Sequence, residues 1–380
     1  MALLSAMQCP RQSAERGPIR DGNDLYLAGE SRPHITEMRI VDPVCDSSWD
    51  RLVLSHPNHN LFHRAAWARV LWRTYGHRPI YLHFCREGES VGLVPIMEVA
   101  SPFTGRRGVA LPFSDFCSPL AFNERGQESL MPRLLELGRK RKWRYFELRG
   151  GRENFPASTM AAEKYYGHSL DLTIGPENVF ARFKDSVRRA IRKAEKSGVT
   201  VEESHSRAAM LDFYRLHVRT RRRHGLPPQP LSFFLNIHEE IVKPDLGFVI
   251  LGKLAARTVG AAVFFHSGEA ALFKFGASDE RAQQVRGNNL IMWEGIRRLA
   301  EKRLKTLHFG RTSLTNDGLR RFKLSWGSEE ELIEYFRVAF GTNKWLNPCH
   351  NASEFHSRLF RKLPLVFNRL AGTLIYPHLD

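Results

Sequence analysis

The sequence predicts a mixed α/β protein built from two tandem copies of one unit, and three observations carry that reading. Stretches with helical apolar spacing alternate with short apolar runs along most of the chain. Ile80–Gly92 aligns with Phe248–Gly260 at an offset of 168, each reading as strand, polar turn and a Val-Gly pair, Val91-Gly92 against Val259-Gly260. Leu137–Arg149 aligns with Leu299–Arg311 at an offset of 162, so that Leu137, Lys140, Arg141 and Arg149 meet Leu299, Lys302, Arg303 and Arg311.

Residues 1–35 are polar and aperiodic and are expected to form a disordered arm. The first unit is expected over residues 36–166, with structure opening near Met38. Helices are predicted at Trp49–Leu54, Phe62–Tyr75 and Ser129–Lys142, and strands at Ile80–Arg86, Val91–Val99 and Trp143–Leu148. The second unit is expected over residues 167–340. It opens with a helix on which Phe180, Phe183, Val187, Ala190, Ile191 and Ala194 repeat at helical spacing, and which Gly198 stops. A second helix, Ala208–His224, ends in a basic cluster. Strands follow at Gly247–Gly252, Val259–His266 and Ala270–Gly276, then a helix at Leu290–Arg303 and a strand at Thr306–Phe309. Residues 341–380 read as a basic amphipathic tail, two short pieces broken by Pro364, suited to a membrane surface or to packing back on the second unit.

Composition narrows the function. Hydrophobic residues make up 42% of the 380-residue chain, enough to bury real cores, so disorder is excluded. No run approaches the roughly 18 apolar residues of a membrane-spanning helix. The apolar opening Met1–Met7 is too short for a signal peptide, so a cytoplasmic protein is expected, peripheral at the inner face of the plasma membrane if the tail binds there. The 57 Lys and Arg against 40 Asp and Glu give a net charge of +17, which points to an anionic partner. Five cysteines without a CxxC form neither a disulfide framework nor a zinc site.

Candidate site residues follow from their settings. Asp115 sits in Pro112-Phe-Ser-Asp-Phe-Cys-Ser-Pro119, between aromatic residues and prolines, where a carboxylate could orient or deprotonate an amine or form an Asx-turn. Arg149 and Arg311 end matched strands and could bind phosphate or pair with buried carboxylates. Arg188 and Arg192 lie one turn apart on the basic helix face, and Arg223 belongs to the next basic cluster; these could cradle RNA or a diphosphate, or be solvated. His56, His59 and His63 have ligand-like spacing, but no carboxylate or thiolate accompanies them, so no metal is expected.

One family resemblance rests on the order of several short motifs. They are Phe62-His-Arg-Ala-Ala-Trp67, Leu111-Pro-Phe-Ser-Asp-Phe, Arg188-Arg-Ala-Ile-Arg-Lys-Ala-Glu-Lys-Ser-Gly-Val, Gly287-Asn-Asn-Leu-Ile-Met-Trp, Phe309-Gly-Arg and Phe322-Lys-Leu-Ser-Trp-Gly. Together they resemble the Fem-type (FemAB-like) transferases, including the branch found with bacterial exopolysaccharide loci. The resemblance implies two tandem GNAT-like acyltransferase domains. It also implies transfer of an acyl or aminoacyl group from a CoA ester or aminoacyl-tRNA, with no tightly bound cofactor. The acceptor would be an amine of an anionic, often lipid-linked, cell-envelope precursor of peptidoglycan or exopolysaccharide type. By the same resemblance, Lys323 after Phe322 reaches the reacting centre, where an ammonium can hold an oxyanion or a phosphate. GNAT enzymes bind the CoA pyrophosphate at a helix start of the form Gln/Arg-x-x-Gly-x-Gly/Ala. Gln284-Val-Arg-Gly287-Asn-Asn289 matches it except at Asn289, which either binds ligand or, with Asn288, caps the helix. An acetyl-CoA-dependent sugar N-acetyltransferase and a non-catalytic RNA-binding module are the alternatives.

Overall fold

The computed structural model describes residues 37–341, 344–345 and 360–380; the expected N-terminal arm and part of the tail lie outside them. The chain begins with β1 (Glu37–Val41), α1 (Trp49–Leu54), α2 (Ala65–Tyr75), β2 (Arg78–Pro79), β3 (Tyr81–Arg86) and β4 (Glu89–Val94). Next come β5 (Met97–Ser101), β6 (Gly105–Ala110), β7 (Leu120–Ala121), α3 (Glu124–Lys140) and β8 (Tyr145–Arg149). Then follow β9 (Glu163–Asp171), α4 (Pro176–Arg182), α5 (Asp185–Lys196), β10 (Val199–Ser204), α6 (Arg207–Arg223), α7 (Leu231–Ile237), β11 (Gly247–Leu254), β12 (Arg257–Ser267) and β13 (Ala270–Ser278). The last elements are α8 (Gly287–Glu301), β14 (Thr306–His308), β15 (Thr312–Ser313), α9 (Asp317–Leu324), β16 (Glu329–Ala339), β17 (Lys344–Trp345) and α10 (Leu365–Ile375).

The duplication is written in the strand registers. In the β3–β4 hairpin Leu82 pairs with Val94 and Phe84 with Gly92, and the ladder shifts after Phe84. In β11–β12 Ile250 pairs with Ala262 and Gly252 with Gly260, and the ladder shifts after Gly252. Adding 168 converts one set of pairs, and one irregularity, into the other. The Val-Gly pair has a packing cause. A Cβ at Gly92 would lie 3.0 Å from Leu130 of α3, and one at Gly260 2.6 Å from Ile291 of α8, so each glycine admits its unit's helix onto the hairpin. Each unit also has one parallel strand pair. β6 runs beside β8 from Gly108 opposite Phe146 to Ala110 opposite Leu148, and β13 beside β14 from Ala270 opposite Thr306 to Leu272 opposite His308.

The two units share one large sheet, ordered β10-β11-β12-β13-β14-β9-β16-β8-β6-β5-β2. β9 runs continuously across the boundary expected between residues 166 and 167. One apolar core takes side chains from both units, among them Trp67, Phe233 and Phe265. No described helix is long and apolar enough to cross a membrane.

Several expectations are corrected. The strand expected over Val91–Val99 is two strands, because Pro95 has no N–H for a ladder; β4 ends before it and β5 joins the large sheet. The helix expected to carry both Phe180 and Ala194 breaks at Phe183, whose extended ψ of 144° turns its ring into the core against Trp293 and Trp326. Cys45 is disulfide-bonded, which the cysteine spacing did not indicate, while Cys85 and Cys117 are buried free thiols. In the tail, residues 360–362 are helical and Pro364 separates them from α10.

Candidate active site

Lys323 is placed by the burial of its neighbours. α9 starts at Asn316, whose side chain accepts from the Leu319 N–H. Beyond the helix, Trp326 is fully buried, with Phe183 edge-on at 5.0 Å and Phe322 at 5.9 Å. Gly327, at φ +72°, then turns the chain against Arg182, where a Cβ would lie 3.1 Å from the carbonyl oxygen. Lys323 is thereby drawn inward. It belongs to a helix rather than to the neighbourhood of a strand, and it is 3% exposed. Its Nζ donates to the carbonyl oxygens of Gly310 at 2.7 Å and Arg311 at 3.2 Å. It makes no carboxylate ion pair among the described residues. Burial pushes its ammonium down to about 8, against the opposing pull of Asp115.

Asp115 reaches from the first unit into the second. One carboxylate oxygen accepts from Lys274 Nζ at 2.6 Å and the other from the Arg311 N–H at 3.2 Å. Burial alone would raise its pKa, but Lys274 and Arg311 outweigh that and hold it at about 2. Lys274 also donates to the Phe113 carbonyl at 2.7 Å and lies 5.0 Å from the Phe62 ring centroid. It stands on β13 two residues past Leu272, where pairing with β14 has ended, and its side chain is buried.

Arg311 and Arg149 are joined through Tyr335. Arg311 Nη1 donates to the Tyr335 hydroxyl at 2.8 Å, and that hydroxyl donates to the Asp115 carbonyl at 2.6 Å. The Arg149 guanidinium lies 5.2 Å from the same ring's centroid and donates to Glu147 at 2.9 Å and to the Ser114 carbonyl at 3.2 Å. Glu147 is also held by Arg337. Lys323, Asp115, Arg149 and Arg311 thus form one buried network, with Lys274 and Tyr335 at its joints. Sequence reading missed both of these. The visible signal for Lys274 is a lone charge in the apolar run Ala270–Gly276.

The other candidates lie elsewhere. Arg188 pairs with Asp185 and donates to the Ala181 carbonyl, and Arg192 is exposed on the outer face of α5. Arg223 is in the last turn of α6. No described hydrogen bond or ion pair joins these three to the network. Asn289 is half-buried in the first turn of α8, whose cap position is Arg286 at φ +58° with no side-chain cap. Neither asparagine caps the helix, so its first N–H groups have no side-chain acceptor. A Cβ at Gly287 would meet only Val259 at 3.7 Å and Val199 at 3.8 Å, ordinary contact, so packing does not demand glycine there. The three histidines bond backbone instead: His56 to the Ala121 carbonyl, His59 to that of His56 and His63 to that of Ser118.

A buried ammonium with one of its three N–H donors uncommitted can hold a carbonyl oxyanion. A carboxylate at about 2 is a weak base, so Asp115 serves charge placement better than proton abstraction.

Residues 181–330 match the family model described as Acetyltransferase (GNAT) domain. No curated protein matches the chain by sequence. Among solved structures the chain is similar to FemX, with 16% identity, 80% of this chain and 98% of that chain covered, and a TM-score of 0.63. It is similar to a tandem GNAT protein from the clavulanic acid biosynthesis pathway, with 10% identity, coverage of 80% and 98%, and a TM-score of 0.52. It is also similar to the C-terminal domain of a protein described as a lysylphosphatidylglycerol synthetase from Agrobacterium fabrum, with 13% identity, coverage of 79% and 92%, and a TM-score of 0.51. Residues 181–330 thus match a GNAT acetyltransferase domain, and the chain as a whole has a tandem GNAT fold, Fem-like in architecture.

Proposed function

We propose that the chain moves an activated acyl or aminoacyl group, carried as a CoA thioester or a tRNA ester, onto an amine of a cell-envelope precursor. The observation that carries this reading is the unpaired, buried ammonium of Lys323 beside Gly310 and Arg311, at the mouth of the second unit's parting strands. The neutral amine attacks the acyl carbon, a C–N bond forms, and the carbonyl oxygen takes up negative charge against Lys323. Collapse breaks the bond to the thiolate or ribose oxygen, and the proton lost by the amine balances the one gained by that leaving group. Asp115 fixes Lys274 and Arg311 so that the charge field at Lys323 is set before substrate arrives. The uncapped start of α8 at Gly287 supports a donor phosphate there. The likeness to FemX supports an envelope acceptor of peptidoglycan or exopolysaccharide type. The GNAT match of the second unit equally supports a sugar N-acetyltransferase using acetyl-CoA.

The test offers purified protein labelled acyl-CoAs and labelled aminoacyl-tRNAs with amine-bearing envelope precursors. Transfer from either donor that Lys323→Met abolishes supports the reading. RNA binding without transfer from either donor overturns it in favour of a non-catalytic module.

A further inference from the structure

α10 is inverted relative to an ordinary surface helix. Its inward side carries a polar and a small residue, Asn368 and Gly372, beside the half-buried Leu365. Asn368 is fully buried and donates to the Phe360 carbonyl at 3.1 Å. Gly372 presses on Pro228, where a Cβ would fall 1.9 Å from the carbonyl oxygen. Its outward side is apolar: Val366 is 72%, Phe367 59%, Leu370 55% and Leu374 62% exposed. Val366, Leu370 and Leu374 stand four residues apart and make one stripe, with Phe367 beside it.

This helix is no loose tail. The Tyr376 hydroxyl donates to the Pro227 carbonyl at 3.2 Å and accepts from Arg221 at 2.8 Å. Asp380 accepts from the buried Arg107 at 2.8 Å and from the Tyr145 hydroxyl at 2.5 Å. The segment is therefore fastened to both units, and its apolar stripe is held outward by design of the packing beneath it.

The segment that carries the stripe is basic. Arg361, Lys362 and Arg369 flank the stripe, and no Asp or Glu occurs from residue 360 to 379. Arg361 is near enough to His224, after the basic end of α6, to help lower its pKa, though burial is the larger cause. A groove of about 460 Å³ opens beside the stripe, lined in part by Leu231, Val366 and Leu370.

We infer that α10 seats the protein on an anionic bilayer, its apolar stripe in the headgroup–acyl boundary and its basic residues against lipid phosphates. Exposed valine, phenylalanine and leucine gain from that environment, and flanking cations add electrostatic attraction. An RNA partner would use the cations and leave the stripe in water. The inference goes beyond the proposed reaction and stands independently of it. It also bears on the site: Tyr376 lies 5.7 Å ring to ring from Phe113, whose carbonyl holds Lys274, so membrane seating would bring the first unit's side of the network toward lipid.

The test is flotation of the full chain with vesicles of phosphatidylcholine alone and with vesicles of equal phosphatidylcholine and phosphatidylglycerol. Recovery with the anionic vesicles only is expected. Phe367→Ser with Leu370→Ser should lower the apparent partition by roughly tenfold or more while leaving the thermal midpoint in place, because both side chains are exposed. Arg361→Glu with Lys362→Glu should lower it separately, without touching the apolar face. Equal flotation of both variants and the parent overturns the inference. So does a parent that never floats but elutes as a dimer which the apolar variant dissociates, for the stripe would then be an interface between copies.

Discussion

The two units keep the same hairpin register and the same parallel strand pair, yet they treat the charge beyond that pair differently. In the first unit Arg149 closes on Glu147 of its own strand, and Arg337 of the second unit closes on the same carboxylate. In the second, Lys274 finds its carboxylate in Asp115, lent by the first unit, the Arg311 backbone N–H donates to the same carboxylate, and Lys323 forms no ion pair among the described residues. Duplication supplied the scaffold twice. Lys323 lies where one copy meets the other, in the unit whose residues 181–330 match the GNAT model.

Breaking the loan should have the largest effect. Asp115→Asn leaves Lys274 buried without a counter-charge and should cost about 3–5 kcal/mol in chemical denaturation, with Lys274→Met added to it recovering most of the loss. The pH dependence has a fixed sign. The folded carboxyl is held at about 2, below its unfolded value of 3.8, so its contribution is complete above pH 3.8 and is lost as pH falls through 2. A parent chain whose acid unfolding matches that of the double variant would dismiss the pair as a source of stability.

Lys323→Met should lower single-turnover transfer about 10²–10³-fold, the scale of losing one oxyanion donor. No comparable loss of stability is expected, since an unpaired buried charge is removed. Because burial sets its pKa at about 8, the ammonium is lost above that pH, and the parent's turnover should fall on an alkaline limb there. A limb that persists in Lys323→Met assigns the titration to another group.

The hairpin glycines give a smaller, paired readout. Alanine at Gly260 meets Ile291 at 2.6 Å, and alanine at Gly92 meets Leu130 at 3.0 Å. Both should destabilise by about 1–3 kcal/mol, Gly260→Ala more than Gly92→Ala. The reverse order in thermal melts would show that the helices do not sit alike on their hairpins.

The smallest stability effect belongs to Arg188→Glu with Arg192→Glu, about 1 kcal/mol or less, since Arg192 is exposed and the Arg188 pair with Asp185 is a surface one. If that face holds an anionic donor, the salt dependence of donor binding should flatten. An unchanged slope marks the face as merely solvated.

These contrasts also mark how far sequence reaches. The hairpin alignment at offset 168 was legible because strand, turn and Val-Gly are local patterns with a local steric cause. Asp115, Arg149, Arg311 and Lys323 were each legible as charges in unusual settings. Their meeting was not, since the contact of Asp115 with Lys274 joins residues 159 positions apart and no periodicity encodes a partner at that range. The break at Phe183 was hidden for a related reason: apolar spacing continued through it, and only the tryptophans of distant elements reward a ring that leaves the helix. The continuity of β9 across the expected boundary is equally tertiary, because a strand belongs to whatever edge is open beside it.

Tyr335 has one more consequence. It is the residue at which β16 changes neighbour, facing Glu163 on one side and Arg149 on the other, and its hydroxyl also ties Arg311 to Asp115. The seam between the halves and the wiring of the site are therefore the same atoms. A lever that pried the halves apart would unplug the charges before it widened any cleft between them.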